Sequence, residues 1–226
     1  MLRVLARIMP LIVGLCMALL LLMHVPPVDD SELQRFFAAS CTALPCWQGI
    51  RPGETTVAQA LTILRAHPWV QTVSEVYTSP YEGSTNTILL YWTWSSRYPF
   101  AASNSTPQQG IIITDQRIVR QIYLTTNLRL GDLWLALGDP QGGMVDYVFD
   151  TQRLRVDNTA LFAHSGIAAT ASLVTRCDNA DYPDFWRIPV YLWLQSSASL
   201  ESSSVADPHY LRTLRAGYQQ ARASSC

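Results

Sequence analysis

Ile88-Leu89-Leu90-Tyr91-Trp92-Thr93-Trp94 is the stretch that decides the fold, because its side chains alternate with a period of two. Ile88, Leu90, Trp92 and Trp94 fall on one face of a strand, while Leu89, Tyr91 and Thr93 fall on the other. One face belongs to a core. The other, with aromatic and aliphatic residues of its own, is either covered by helices or left open as a surface. Around this run, Val70 to Tyr77, Ile111 to Thr114, Ile118 to Leu124 and Met144 to Phe149 also read as strands, with a hairpin at Asp115-Gln116.

The helical signals are as local. Thr56-x-x-Gln59 is a capping box, and Val57, Ala60, Leu61 and Leu64 follow the i, i+3, i+4, i+7 spacing of one apolar stripe, which Pro68 ends. Adding 73 to those positions gives Leu130, Leu133, Trp134 and Leu137, the same stripe, closed by Gly138 and Pro140. Gly131 falls inside this second copy and points to a helix starting at Asp132. The same offset carries Ile88–Trp94 onto Leu161–Ile167, and Ile118–Leu124 onto Tyr191–Ser197. The spacing therefore predicts an α+β protein of two tandem units, each a helical lead before an antiparallel sheet of about four strands. The expected boundaries are residues 1–28 for a membrane anchor or signal, 29–124 and 125–205 for the two units, and 206–226 for a C-terminal helix and tail. Ser31-x-x-Gln34 predicts a short helix through Ala39, and Asp207-Pro208 with Leu211, Leu214 and Tyr218 predicts the last one. Ser95 to Gly110, rich in Ser, Pro, Asn and Gln, reads as a surface loop that holds the sequon Asn104-Ser105-Thr106.

Ile8 to Met23 carries no charge, with Arg3 and Arg7 before it and Asp29, Asp30 and Glu32 after it. By the positive-inside rule the start is cytoplasmic and the body lies outside. The run is short for a spanning helix, which needs about 20 residues, so flanking residues would have to be recruited. Leu22-Met23-His24-Val25-Pro26 has no small-residue cleavage site, which favours an uncleaved single-pass anchor in a bacterial cell membrane over a secreted form. About half of the chain is apolar (49%) and only 15% is charged, so a packed body is expected. The net charge of −1 gives no electrostatic footprint for nucleic acid. All sixteen basic residues are arginine, so Schiff-base chemistry, a P-loop lysine and a Ser-Lys dyad are excluded.

Cys41, Cys46, Cys177 and Cys226 follow the membrane segment, an even set that reads as two disulfides in an oxidising compartment. Three pairings are open, and Cys41–Cys46 with Cys177–Cys226 is preferred, because the first pair flanks the Leu44-Pro45 turn and the second pins the tail. His164-Ser165-Gly166 has no Gly-x-Ser-x-Gly elbow around it and reads as a turn. Asp178 to Asp184 is rich in oxygen ligands but lacks the Asp-x-Asp-x-Asp-Gly order of a calcium loop. No catalytic residue, metal site or cofactor is assigned. Tyr91, Tyr123, Tyr191 and Trp193 alternate with core positions and form the candidate binding surface, since aromatic anchors give large contact area with few rotors to freeze.

The Gly53-x-Thr55 entry into a helix and the Leu137-Gly138-Asp139-Pro140 ending resemble the small outer-membrane assembly lipoproteins of the BamE/SmpA type. Two helix-plus-sheet units in tandem look like the secreted β-lactamase inhibitor protein. The Cys46-Trp47-x-Gly49-Ile50-x-Pro52-Gly53-x-Thr55 stretch is similar to bacterial envelope proteins with one N-terminal anchor. There is no lipobox cysteine. The resemblance implies a binding scaffold without catalysis and names no partner. The expected function is thus an anchored binding or envelope-assembly protein with a protein partner. The alternative is an extracytoplasmic hydrolase whose site is built from residues distant in sequence.

Overall fold

The computed structural model describes residues 36–37, 43–78, 87–100, 109–150, 153–176 and 187–196. The chain divides into two units, Met1–Glu32 and Leu33–Cys226, and every described residue belongs to the second. Ile8–Met23, the Asp178–Asp184 loop, the Asn104 sequon and the C-terminal helix all lie outside the described residues. Among the described residues no helix is long and apolar enough to cross a membrane.

Helix α1 (Val57–Ala66) leads into β1 (Val70–Thr78), β2 (Thr87–Trp94), β3 (Gln109–Asp115) and β4 (Ile118–Arg129). Helix α2 (Leu130–Leu137) then leads into β5 (Gly142–Asp150), β6 (Arg153–Phe162), β7 (Ile167–Arg176) and β8 (Pro189–Gln195). The strands form one eight-stranded antiparallel sheet in the order β1-β2-β3-β4-β8-β7-β6-β5. This corrects the expected pair of helix-plus-sheet units: there is one sheet, not two. The two meanders are joined where β4 pairs with β8, Ile122 opposite Leu194 and Leu124 opposite Leu192, so the sheet has no internal edge at which it could be divided.

The offset of 73 holds for the helix starts and fails for one strand. Leu161–Ile167 is not a strand but the end of β6, a 3-10 turn at Ala163–Ser165, and the start of β7. Gly166, at φ 65, is the left-handed residue that reverses the chain there. Gly131 lies within the first turn of α2, not before it. Thr56 makes the expected capping box, its Oγ1 accepting from the Gln59 N–H at 3.3 Å while Gln59 Oε1 accepts from the Thr56 N–H at 3.0 Å. Val57, Ala60 and Leu64 are buried, as are Leu130 and Leu133; Leu61 and Trp134 pack half-buried against the same core.

That core lies on the face of the sheet that both helices cover. Trp92 is its centre. Trp47 stacks on it, with centroids 5.4 Å apart and planes at 23°, and Trp94 meets both rings edge-on. Directly across the ladder from Trp92 is Gly110, where an added Cβ would come within 1.9 Å of the indole. Trp47 is presented by a tight turn closed by two bonds, Trp47 N–H to the Ile50 carbonyl (2.9 Å) and Ile50 N–H to the Trp47 carbonyl (2.8 Å). The lead then docks on the β3–β4 hairpin, with the Gly53 N–H donating to Val119 and the Val119 N–H to Thr55. Tyr98 and Phe100, in the segment expected to be a surface loop, are buried: Tyr98 stacks on Trp94 at 3.8 Å and Phe100 meets Phe36 at 4.9 Å.

His67 closes this cluster. Its Nδ1 accepts the Trp69 N–H at 3.2 Å, which leaves Nε2 as the protonated nitrogen, donating to Gln48 Oε1 at 3.3 Å. Gln48 in turn donates to the Phe36 carbonyl at 2.9 Å. Burial depresses the His67 pKa below its ordinary value.

Gly110→Ala must displace Trp92 or the backbone, so it should lower stability by about 1 to 3 kcal/mol, read as a fall in the urea midpoint. The neutral His67 contributes stability that is complete above the unfolded pKa of about 6.5 and is lost as pH falls from there through the lower folded value. Stability should therefore drop between pH 7 and mild acid, and His67→Gln should flatten that part of the curve in urea titrations at stepped pH.

Candidate binding face

Because strands pair antiparallel with a side-chain period of two, choosing one inward residue fixes every cross-strand neighbour. With Trp92 inward, Tyr91 points to the other face, and the register then carries one row across the sheet: Ser74, Tyr91, Ile111, Tyr123, Trp193, Ala168 and Leu161. The neighbouring row runs Thr72, Thr93, Gln109, Thr125, Tyr191, Thr170, Thr159 and Met144. All four aromatic residues singled out from the sequence thus share one face. Three of them touch or nearly so. Tyr123 and Tyr191 stack at 6.0 Å with planes at 11°, and Tyr123 meets Trp193 edge-on at 5.7 Å. Tyr91 stands two strands away, with Ile111 between it and Tyr123.

Neither α1 nor α2 covers this face, since both bury their stripes against Leu90, Ile112 and Ile122 on the opposite side. Seven large apolar side chains are exposed among the described residues, and six of them, Val76, Met144, Val148, Val174, Tyr191 and Trp193, are on the open face by register. Trp193 is 42% exposed. Burial, and next the neighbouring Tyr191, push the Tyr123 phenol above its ordinary pKa, so the centre of the face stays uncharged.

Charge enters on β3 and β4, where Arg120 meets Asp115 at 3.4 Å, and again toward the β5–β6 edge. There Asp157 receives two bonds from Arg155, Nε to Oδ1 at 2.9 Å and the terminal nitrogen to Oδ2 at 2.7 Å, and one from Ser172 at 2.5 Å. Burial pushes the Asp157 carboxyl up, but the bonds from Arg155 and Ser172 and the guanidinium charge outweigh it and hold the pKa below the usual carboxylate range. Asp146 stands directly opposite Asp157. These charged residues, and the apolar rows of β5 and β7, were not picked out from the sequence. The alternation Met144-x-Asp146-x-Val148 is the signal that would have found them.

The other candidate residues are placed as follows. His164 is exposed in the Ala163–Ser165 turn, its backbone N–H donating to Gln141 Oε1 at 3.4 Å. Cys46 is buried and disulfide-bonded; Cys41, Cys177 and Cys226 lie outside the described residues, so the two expected pairings do too. No cluster of three metal-ligating side chains occurs among the described residues. A groove of about 580 Å³ follows the outer side of α1, lined by Gly49, Thr55 and Gln59 among others, and its one carboxylate, Glu54, is paired with Arg51 at 3.1 Å. Comparisons with family models, curated proteins and solved structures give no match.

If the face is open in solution, the two sides of the sheet should respond differently to truncation. Trp92→Ala should cost about 3 to 5 kcal/mol, the range for a large aromatic lost from a packed core. Trp193→Ala should stay within about 1 kcal/mol of the parent. Equal losses in denaturant melts would mean that Trp193 is also core.

Proposed function

We propose that this chain is an extracytoplasmic, membrane-anchored binding or envelope-assembly protein that engages a protein partner through the open face of its sheet. One observation carries this reading: six of the seven large apolar side chains exposed among the described residues lie on a single face, which also presents the contacting rings of Tyr123, Tyr191 and Trp193. Soluble bodies rarely leave contiguous apolar surface uncovered, and where they do it marks an interaction site. The composition also fits recognition. Interface centres are depleted of charge and enriched in Tyr and Trp, as is the middle of this face.

The compartment is supported by the charge asymmetry around Ile8–Met23 and by the disulfide at Cys46, which belongs in an oxidising environment. The resemblance of the Gly53-x-Thr55 entry and the Leu137-Gly138-Asp139-Pro140 ending to outer-membrane assembly lipoproteins points the same way, toward a scaffold that holds another protein.

Photo-crosslinking in intact cells tests the proposal. A benzophenone side chain at position 193 should give discrete adducts of higher mass, while the same group at Ala58, exposed on the far side of the molecule, should give none. Adducts absent at 193, or equal at both positions, would sink the reading.

A further inference from the structure

We infer that His67 is an acid-sensitive latch, whose protonation frees Phe36, Phe37 and the turn that Trp47 and Ile50 close, while the sheet stays intact. The inference concerns the helix-covered side of the sheet and does not depend on the binding reading above. It begins with a chain of bonds that joins separate parts of the sequence. The Trp69 N–H, just before β1, donates to His67 Nδ1 at 3.2 Å, so the neutral ring carries its proton on Nε2 and gives it to Gln48 Oε1 at 3.3 Å. That bond orients the amide, whose Nε2 donates to the Phe36 carbonyl at 2.9 Å.

Protonation breaks this chain at its first link. A proton on Nδ1 points at the Trp69 N–H, setting two donors against each other. The ring also stands between indoles, 5.9 Å from Trp47 and 5.0 Å from Trp69, where a charge loses hydration. Half-buried, it relieves both faults by turning toward water. Gln48 then loses the donor that holds its amide. Its backbone is the weak point of the turn, a non-glycine residue at φ 50 beside Gly49 at φ 87, and such a left-handed conformation persists only while its surroundings fix it.

The charged groups of the elements packed around the ring are committed elsewhere. Arg65 on α1 pairs with Glu75 on β1 at 3.4 Å, and Arg51 pairs with Glu54 on the lead at 3.1 Å. Tyr98, which meets Trp69 at 5.7 Å, is pushed by burial far above its ordinary pKa and stays uncharged. Among the described residues none of these is bonded to the His67 ring, so no carboxylate holds an imidazolium in place. Phe36 follows closely on Glu32, where the first of the two units ends. The latch thus governs the point at which the sheet body receives the preceding chain. In the extracytoplasmic location proposed above, external acid reaches His67 without crossing a membrane. Opening returns the imidazole to its ordinary pKa of about 6.5, above that of the closed form. Between the two values the open form binds the extra proton, and opening grows up to about tenfold per pH unit.

Hydrogen exchange of the full chain in detergent, read by mass spectrometry from about pH 7.5 down to about pH 5.5 with times scaled for intrinsic exchange, tests the latch. Peptides covering residues 33–40 and 45–52 should lose protection about five- to tenfold over that range, while β4 and β8 keep theirs. His67→Gln, which offers a donor and an acceptor without titrating, should abolish the response. Gln48→Ala should expose the 33–40 peptide already at the upper pH. Protection of the parent that stays level across the range would overturn the latch with no variant needed. Loss spread evenly over every strand would mean global unfolding in place of local release, and would overturn it too. A pH response kept by a folded His67→Gln would move the trigger to another group, and an unchanged 33–40 peptide in Gln48→Ala would deny the link to Phe36; either result defeats the inference.

Discussion

The ring of Trp92 lying over Gly110 is the contact from which the rest of this structure follows. A residue without a side chain makes room for the indole, and Trp47 then closes over it. Once Trp92 is inward the period of two leaves no freedom. Ile112, Ile122 and Leu194 must follow it into the core, and Tyr91, Tyr123 and Trp193 must turn away from it. The aromatic face is thus the unavoidable other side of the aromatic core. Two rings pay for this packing with an unmet bond: the indole N–H groups of Trp47 and Trp92 are buried and have no hydrogen-bond partner among the described residues. Each such group costs about 1 to 3 kcal/mol, so apolar burial has to carry the stability here.

The lead before α1 secures that arrangement from outside the sheet. Its turn delivers Trp47, its backbone bonds to Val119 and Arg117 anchor it on the hairpin, and Gln48 ties His67 to the Phe36 carbonyl. The hairpin it grips is itself under conformational load. Gln116 and Arg117 both have positive φ, 50° and 67°, a backbone that suits Asn-Gly far better than these residues. The docking of the lead holds this turn in place, which explains how a non-glycine pair persists there.

Much of this was readable from residues alone where the signal is local. The capping box at Thr56, the apolar stripe that Leu130 and Leu133 begin and the two faces of β2 depend on neighbours two to four places away, and the structure reproduces them. What was not legible depends on partners far along the chain. Leu161–Ile167 is as apolar as a strand, and only the reversal at Gly166 makes it a corner. Tyr98 and Phe100 sit in a polar, proline-containing stretch, yet Trp94 and Phe36 provide them with a core position. The same limit applies to the face. Alternation identified Tyr91, Tyr123, Tyr191 and Trp193, but their shared face comes from the register across the sheet, above all that of β4 against β8. No local pattern encodes that pairing, and the division into two units failed at that point.

The β4–β8 pairing has a kinetic side as well. Every other strand pair closes within one half of the chain, whereas Gln121 and Gln195 meet across a separation of 74 residues. Loop-closure entropy makes such a contact late, after the local meanders have formed. Tyr123 stands on one of these strands, and Tyr191 and Trp193 on the other, so their cluster does not exist until that last zipper is shut. Display of the surface then reports completed folding: a chain arrested with two separate meanders would expose strand edges but not the assembled aromatic patch.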